Sequence, residues 1–311
     1  MNAFDTIKDY LLDRPRPLIG AETVQLILVR EILDYTVLRT EEDRQINAVV
    51  TPLSISKPEA TRRVAFLATK QKAAESRQLE HLLRSTCREA GMKIRECYLK
   101  DNLCMECPRC GLFGATSTES GQAERANIKH RIEYSTAFSL LPFDEITTST
   151  TFNAINDRDI TTGQALGARN AVVPATLFPS VVTLKSVARE ELILAVKTLL
   201  SCKSYGAESR IGGDVRNTVI GVVAGWEEAI TSLELALELY DRQDSVTPGT
   251  IGELIKTRYV PMAGNPDNIR VLTPQEVEAL VRECTSAKLD KPFLEGCYNN
   301  IKDYRTAQTK Q

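Results

Sequence analysis

The sequence has 311 residues, of which 42% are hydrophobic, and its formal net charge at pH 7 is −2. This length and hydrophobic content suffice for a sizeable core, in one large domain with insertions or in two smaller ones. No stretch approaches the roughly 20 consecutive apolar residues of a membrane span, and the first ten residues contain no secretory signal. A cytoplasmic protein with reduced cysteines and no membrane partner is therefore expected.

Charge is distributed unevenly along the chain. Residues 60–110 carry a net charge of +5, and residues 226–311 carry a net charge of −4. A basic segment of this kind can face nucleic-acid phosphates, although a solvated helix face more often has the same composition. Composition alone therefore predicts neither RNA nor DNA binding.

The first predicted elements are an extended arm and a core strand. The Arg-Pro-Arg-Pro run that begins at Arg14 interrupts helical structure and leaves Arg14 and Arg16 on the arm. Residues 22–40 are rich in Val, Ile, Leu and Thr. This composition predicts one long strand or a strand pair.

A basic helix is predicted next, over residues 60–91. Its helix-forming composition includes Lys70 and Lys72, and Gly91 ends the run. The predicted helix leads directly into a segment that is rich in cysteine.

That segment holds four of the eight cysteines, namely Cys97, Cys104, Cys107 and Cys110. In a reducing compartment, thiolates at Cys-x-x-Cys spacing indicate a metal site rather than disulfides. The last three supply ligands on one tight turn, and a closed zinc site needs a fourth. Cys97 is the choice for this fourth ligand because it is nearest, with Cys87 and His81 in reserve.

An iron–sulfur cluster, buried or redox thiols and a catalytic zinc site are the alternatives. Cys-x-x-Cys-x-x-Cys begins the bacterial ferredoxin pattern, but Gly114 stands where the fourth cysteine would lie. A zinc hydrolase or base deaminase needs a His/Cys-x-Glu element before Pro-Cys-x-x-Cys. Neither His81 nor His130 opens such an element, and no second cysteine follows Cys110 at that distance. A structural zinc ion that holds a loop without a core of its own is favoured.

Residues 129–138 alternate basic or polar with apolar side chains. This period predicts a strand with one open, partly cationic face that carries Lys129 and Arg131. Because nothing in the sequence pairs with His130, this histidine is interpreted as a bystander.

Residues 143–176 are polar and rich in Thr, Asn and Asp, and a projecting hairpin is the simplest interpretation. Phe152 and Ile155 are large apolar residues within it, and Arg158 and Arg169 follow. The hairpin therefore combines apolar and cationic side chains.

The remaining predicted elements are a strand over residues 177–187, a helix over residues 190–202 and a glycine-bearing loop over residues 204–213. A strand over residues 218–224 and helices over residues 226–245 and 273–287 follow. Gly212 and Gly213 would let a phosphodiester approach the main chain, with Arg210 and Arg216 around them. A glycine after a helix also serves simply as a C-cap. Thr273 to Glu276 resembles a capped helix start.

The order of these elements resembles the Cas-seven-type backbone subunit of CRISPR Cascade complexes, a member of the RAMP superfamily, and most closely its type I-D version. The stretches that carry the resemblance are Lys129–Phe138, Asn156–Gly163, Val173–Phe178, Leu192–Gly213 and the cysteine insertion Cys104–Ala115. Together they cover about residues 20–230.

The resemblance implies an α+β fold, with an RRM-like (ferredoxin-like) βαββαβ core and inserted zinc-binding, thumb or lid hairpin and helical segments. Residues 1–59 and 128–225 would form the core, or palm, and residues 143–176 the thumb. Residues 60–127 would be the basic, zinc-binding insertion. Residues 226–311 would be the helical C-terminal segment.

The resemblance also implies a non-catalytic subunit that polymerises along crRNA and contacts target DNA, further copies of itself in a helical filament and other Cascade subunits. The thumb would flip out a base, with Phe152 or Ile155 as the wedge. Arg109 would face RNA or DNA. The expected RNA contacts are Arg14, Arg16, Lys70, Lys72, Lys129, Arg131, Phe152, Arg158, Arg169, Arg210, Gly212, Gly213 and Arg216.

Related type III subunits cleave target RNA with an acidic residue near the first strand. Glu41, Glu42 and Asp43 lie at about that position, so a target-RNA-cleaving RAMP subunit is a further alternative. Three consecutive acids after a strand are more often a solvated turn. The chain is therefore expected not to be an enzyme.

Overall fold

The computed structural model describes residues 3–39, 45–99, 102–116, 127–155, 158–207, 213–242 and 246–309. Its strands are β1 (Thr23–Ile32), β2 (Ala48–Pro52), β3 (Ala60–Phe66), β4 (Ala115–Thr116), β5 (Asn127–Ile128), β6 (Ile132–Tyr134), β7 (Ala137–Phe138), β8 (Thr147–Ile155), β9 (Thr162–Val172), β10 (Leu177–Lys185), β11 (Val215–Gly225) and β12 (Ile269–Val271). Its α-helices are α1 (Ala68–Glu89), α2 (Pro108–Phe113), α3 (Phe143–Ile146), α4 (Arg189–Ser201), α5 (Ser232–Tyr240), α6 (Pro248–Leu254), α7 (Pro274–Ser286) and α8 (Lys291–Thr309). The mixed composition confirms the α+β class.

A five-stranded antiparallel sheet lies at the centre, in the order β12-β11-β1-β10-β6. β1 is central: its Val24 lies opposite Leu184 of β10 on one side and Ala224 of β11 on the other. Because both faces of β1 are covered, eight of its ten residues are buried, and these include the polar residues Thr23, Gln25 and Arg30. The strand ends at Ile32, so the prediction of strand structure up to residue 40 was too long.

One face of this sheet is covered by α1 and α4. Leu79 and Leu83 of α1 share a core with Leu192 and Val196 of α4. Thus α1 is part of the main core, although its basic composition had placed it in an insertion. The buried stripe was hidden because lysine and arginine fill the solvent-facing positions of the same helix.

The other face of the sheet is covered by α5 and α6. Ile27 of β1 and Val223 of β11 pack with Leu235 of α5 and Ile251 of α6. The central sheet is therefore buried on both sides, and it does not present an open platform over these strands.

A smaller sheet, in the order β2-β3-β7, lies beside the first. The prediction that residues 60–66 begin the basic helix is wrong, because they form β3. Val64 and Phe66 alternate toward a third core in which Phe178 is also buried, which is the pattern of a strand.

β8 and β9 form a two-stranded hairpin. At its base, Thr36 and Val172 exchange both of their backbone hydrogen bonds, with N···O distances of 3.0 and 2.8 Å. Most of the described side chains farther along the hairpin are exposed. The hairpin is thus anchored at one end, beside the loop that follows β1.

Two helices complete the C-terminal part. α7 begins with the expected capping box, in which Glu276 N–H donates to Thr273 Oγ1 at 3.3 Å and Thr273 N–H donates to the Glu276 carboxylate at 2.7 Å. α8 was predicted only as part of the helical C-terminal segment and not as a separate helix, although its buried residues recur at helical spacing, at Leu294, Tyr298 and Ile301. None of the helices in the described ranges is both long and apolar enough to cross a lipid bilayer.

Candidate metal centre and nucleic-acid interface

The four cysteines selected from the sequence, Cys97, Cys104, Cys107 and Cys110, lie together in a buried cluster. All of their sulfur atoms fall within 4.8 Å of one another. The Sγ atom of Cys97 is 3.5 Å from that of Cys110 and 3.7 Å from that of Cys107. Four sulfur atoms held at about 2.3 Å from one tetrahedral zinc ion lie about 3.8 Å apart. The separations therefore fit a four-thiolate site.

Backbone N–H groups point at these sulfur atoms. The N–H of Cys110 lies 3.4 Å from Cys107 Sγ, and the N–H of Glu106 lies 3.5 Å from Cys104 Sγ. Hydrogen bonds from Cys107 and Cys110 hold the pKa of the Cys104 thiol well below its usual range, whereas the hydrogen bonds to Cys104 raise the pKa of the Cys107 and Cys110 thiols. The bonds therefore stabilise the Cys104 thiolate, and thiolate is the form that binds metal.

Buried cysteines outside the cluster also have raised pKa values. Burial raises the pKa of Cys202 to about 11 and that of Cys284 to about 12. These thiols stay protonated at neutral pH. Of the two reserve ligands, Cys87 contacts the hydroxyl of Tyr298 at 3.9 Å, and His81 is an exposed residue of α1. Neither of them belongs to the four-sulfur cluster.

The cysteine segment packs on the main core through apolar side chains, in addition to the contacts among its four sulfur atoms. Met105, Leu112 and Phe113 are buried in the core shared by α1 and α4. The segment therefore shares the main core and is not held by its sulfur atoms alone. The signal that could have revealed this is the apolar pair Leu112-Phe113 directly after the last cysteine.

Arg131 fastens this segment to its surroundings. Its guanidinium donates to the carbonyl oxygens of Gly111 at 3.0 Å and Ser186 at 3.1 Å, and to the carboxylate of Glu191 at 2.6 Å. It also lies over the ring of Tyr304 in α8. The side chain is 0% exposed. The placement of Arg131 on an open strand face is wrong, because the arginine is the buried counter-ion of Glu191.

The strand predicted over residues 129–138 is divided into β6 and β7, and β5 lies directly before it. Lys129 lies exposed between β5 and β6, next to His130. Burial and the positive charges of Lys72, Lys129 and Lys185 lower the pKa of His130. The charges of Lys72 and Lys129 both act on His130, and these three residues are called the lysine–histidine cluster. Lys185 is neutralised by ion pairs with two glutamates.

Arg109 lies between the four-cysteine cluster and the lysine–histidine cluster. Burial and the charge of Arg109 lower the pKa of Lys72. Arg109 itself is only 4% exposed and donates from Nε to Ser76 Oγ at 2.9 Å. The prediction that Arg109 faces RNA or DNA is therefore wrong, because the arginine is not on the protein surface. Its charge nevertheless lies close to Lys72.

The N-terminal arginines lie against α8. Arg14 is an exposed residue 3.8 Å from Asp303, and Arg16 is exposed beside it. Both line a cavity of about 380 Å³ between the Arg-Pro-Arg-Pro run and α8. The arm is thus docked rather than free.

Lys70, a predicted RNA contact in α1, donates from Nζ to the carbonyl oxygen of Arg39 at 3.3 Å.

The predicted RNA-contact residues of the hairpin lie at different distances from its base. Phe152 lies in β8 opposite Gly167, and its side chain is outside the described part of the structure. Ile155 is 65% exposed at the outer end of β8. Arg158 is exposed nearby, whereas Arg169 lies partly buried nearer the base.

The glycine-bearing loop is described only at its two ends. Arg210 and Gly212 lie outside the described residues, as do Glu41, Glu42 and Asp43. Gly213 has a φ of +63°, and its carbonyl accepts a hydrogen bond from the N–H of Tyr205 at 3.3 Å. Arg216 is an exposed residue of β11 that donates from Nε to Glu31 at 3.0 Å.

Gly213→Ala is expected to lower the free energy of unfolding by more than about 1 kcal/mol, because the left-handed backbone disfavours a side chain. A Cβ here would also lie 2.6 Å from the backbone of Gly206. Gly91→Ala is the matched control, because Gly91 has a φ of +68° but nothing within 4 Å of the added carbon. Urea unfolding should show the larger loss for Gly213→Ala. Equal losses would contradict the close approach at Gly213.

A buried polar network beneath this loop was not found from sequence. Arg30 of β1 donates to Glu75 of α1 at 2.6 Å and to Asn217 of β11 at 3.0 Å. Tyr205 donates to the same Glu75 carboxylate at 2.7 Å, and Tyr134 also donates to Glu75. The available signal was a charged residue inside the apolar run of β1. The network ties the loop at Tyr205 to the centre of the fold.

A family model described as "Csc2 Crispr" matches residues 11–260. The chain also resembles solved structures. For Thermofilum pendens Csc2 the TM-score is 0.65 at 20% identity, covering 100% of this chain and 97% of that one. A chain of a pre-nicking CRISPR RNA-guided surveillance complex gives 0.49 at 12% identity, with 77% and 88% covered. A chain of another such complex gives 0.47 at 12% identity, with 75% and 84% covered.

The likeness to Thermofilum pendens Csc2 shows a shared fold. No curated protein sequence matches the chain significantly.

Proposed function

We propose that this chain, which belongs to the Csc2 CRISPR family, is a non-catalytic backbone subunit that binds crRNA in a type I-D Cascade complex. The family membership rests on the match over residues 11–260. The observation that favours RNA binding is the lysine–histidine cluster, because it places the exposed Lys129 and the half-buried Lys72 near the cysteine-rich segment. Lysine side chains bind phosphates without reading sequence.

The order of the central elements supports an RRM-like core. Along the chain they run β1, α1, β6, β10, α4 and β11, and in the sheet the strands lie in the order β11-β1-β10-β6. This is the βαββαβ arrangement of ferredoxin-like folds. Because α5 and α6 cover the sheet face opposite α1 and α4, RNA would bind at the strand edge near Lys129 and at the surrounding loops.

We infer that the four-cysteine cluster holds Zn²⁺. Its sulfur separations and N–H···S contacts favour four thiolates around one ion. Four protein ligands leave no open position for water or substrate, which favours a structural ion over a hydrolase or deaminase centre. The bound ion would supply a cross-link that keeps α2 against α1 and α8, and so keeps Arg109 beside Lys72.

The exposed hairpin formed by β8 and β9 is proposed as the thumb. It is fixed at its base by Thr36 and extends with exposed polar side chains and Ile155. An apolar residue flanked by cations can wedge between bases of a single strand. Phe152 and Ile155 remain the two candidates for this wedge, with Arg158 and Arg169 as the cations.

Assembly with further copies, with other Cascade subunits and with target DNA completes the proposal. A filament needs head-to-tail contacts that do not close on themselves. The net charges of +5 over residues 60–110 and −4 over residues 226–311 would favour contacts between neighbouring copies at low salt.

The double variant Lys72→Ala/Lys129→Ala is expected to weaken binding of unrelated RNA sequences alike. If each lysine neutralises one phosphate, the slope of log affinity against log salt becomes less steep by about 1.4. Fluorescence anisotropy at several salt concentrations measures both quantities. Arg131 is left intact in this test, because its removal would leave Glu191 buried without a counter-ion.

Lys8→Ala/Lys256→Ala serves as the matched control, since both lysines are exposed and lie outside the lysine–histidine cluster. The control should bind RNA with nearly the wild-type salt slope. Unchanged affinity and slope in Lys72→Ala/Lys129→Ala would remove the cluster from the RNA-binding surface.

A further inference from the structure

A cavity of about 460 Å³ opens beside the cysteine cluster, between α1, the segment that carries Arg95 and Tyr98, and Tyr298 of α8. This volume lies within the range of small-molecule sites. Its walls combine two tyrosine rings with Glu80, Arg84, Arg95 and Arg109. The lysine–histidine cluster does not include these residues.

The inner wall is a built polar surface. Glu80 is 6% exposed and Arg109 is 4% exposed, so two charged side chains are buried at the cavity. Burying charge is costly unless the group is paired. Arg84 forms an ion pair with Glu80 and donates to the carbonyl oxygen of Cys97 at 2.6 Å. Burial raises the pKa of Glu80. The wall is therefore held in place by the cysteine segment.

The outer wall has a different character. Tyr98 is 42% exposed, and Arg95 is exposed as well. An accessible aromatic ring beside a guanidinium is the combination on which unpaired bases stack and phosphates bind. Acidic groups deeper in the cavity can accept hydrogen bonds from the N–H groups of a base.

α1 connects the cavity with the lysine–histidine cluster. Lys72, Ser76, Glu80 and Arg84 recur every four residues, so that each lies next to the following one, and the row turns by about 120° around the helix between its two ends. From Lys72 to Arg84 the helix rises about 18 Å. Arg109, which donates to Ser76, lies between the two ends.

We propose that this cavity takes one unpaired nucleotide of the bound strand, with its base against Tyr98 and its phosphate at Arg95. The proposal rests on the nucleic-acid binding proposed above and adds a site for one base to a surface that otherwise contacts phosphates. A ribonucleotide of the guide and a deoxynucleotide of a target strand share this chemistry.

The test compares Tyr98→Ala with Tyr98→Phe in the full chain, with RNA and DNA oligomers of equal length in separate arms. Loss of a stacked base should weaken binding about five-fold or more in Tyr98→Ala. Tyr98→Phe keeps the ring and should bind nearly as the wild type. Because stacking involves no charge, the salt slope of Tyr98→Ala should equal that of the wild type. Metal content is measured in both variants, since Tyr98 follows Cys97.

The two arms identify the source of the nucleotide. If Tyr98→Ala weakens the binding of RNA alone, the cavity takes a ribonucleotide. If it weakens the binding of both oligomers, the cavity takes a nucleotide with either sugar. If Tyr98→Ala binds both oligomers as tightly as the wild type does, the pocket assignment is wrong, while the effect of Lys72→Ala/Lys129→Ala still supports the proposed function. If the wild type binds neither oligomer, both the proposed function and the nucleotide pocket are wrong.

Discussion

Cys104→Ser should remove the bound metal and lower the free energy of unfolding by several kcal/mol. In zinc-finger peptides a structural zinc site contributes roughly 10 to 16 kcal/mol of apparent binding free energy. Here Met105, Leu112 and Phe113 also hold the segment in the core, so its loss of order is expected to be partial. Metal analysis of the purified variant and its thermal unfolding curve measure the two effects.

Cys202→Ser is the matched control for this prediction. Cys202 is also a buried cysteine, but it lies outside the four-sulfur cluster and burial raises its pKa to about 11. This variant should keep one metal ion per chain. Cys104→Ser protein with a full equivalent of metal and wild-type thermal stability would show that the cluster is not a metal site.

Glu75→Leu should destabilise the fold by about 3 to 5 kcal/mol, since it leaves a buried arginine without its carboxylate. Arg30 and Glu75 are both 0% exposed, and their side chains are 2.6 Å apart. The same change removes the acceptor for Tyr205, which anchors the glycine-bearing loop. Equilibrium urea unfolding measures the loss.

The double variant Arg30→Met/Glu75→Leu tests the cause of that loss. Replacing both members of a buried ion pair with apolar side chains is often far less costly than removing one. The double variant should therefore recover part of the stability lost in Glu75→Leu. A single variant as stable as the wild type would mean that the pair does not hold β1 to α1.

The cysteine cluster was predictable because ligand spacing is a local property of the chain. Cys104, Cys107 and Cys110 are on one turn, and Cys97 is only a few residues away. Elements with strong periodicity were predictable for a similar reason. The helix expected over residues 190–202 is α4, and the capped start expected at Thr273 begins α7.

The direction of long polar side chains could not be predicted, because it depends on contacts that are distant in sequence. Arg131 is buried since Glu191, 60 residues away, needs a counter-ion. Arg30 and Glu75 are 45 residues apart and meet only when α1 packs on the sheet. A cationic residue in a strand is equally consistent with a phosphate contact and with such a pair.

If this chain is the subunit that lines a guide RNA, protein purified from cells that produce CRISPR RNA should carry RNA of one defined length, with several copies of the chain on each molecule. The length and identity of the nucleic acid that stays with the purified protein test this role. Protein that retains its metal but carries no RNA, or carries nucleic acid of random length, would contradict it.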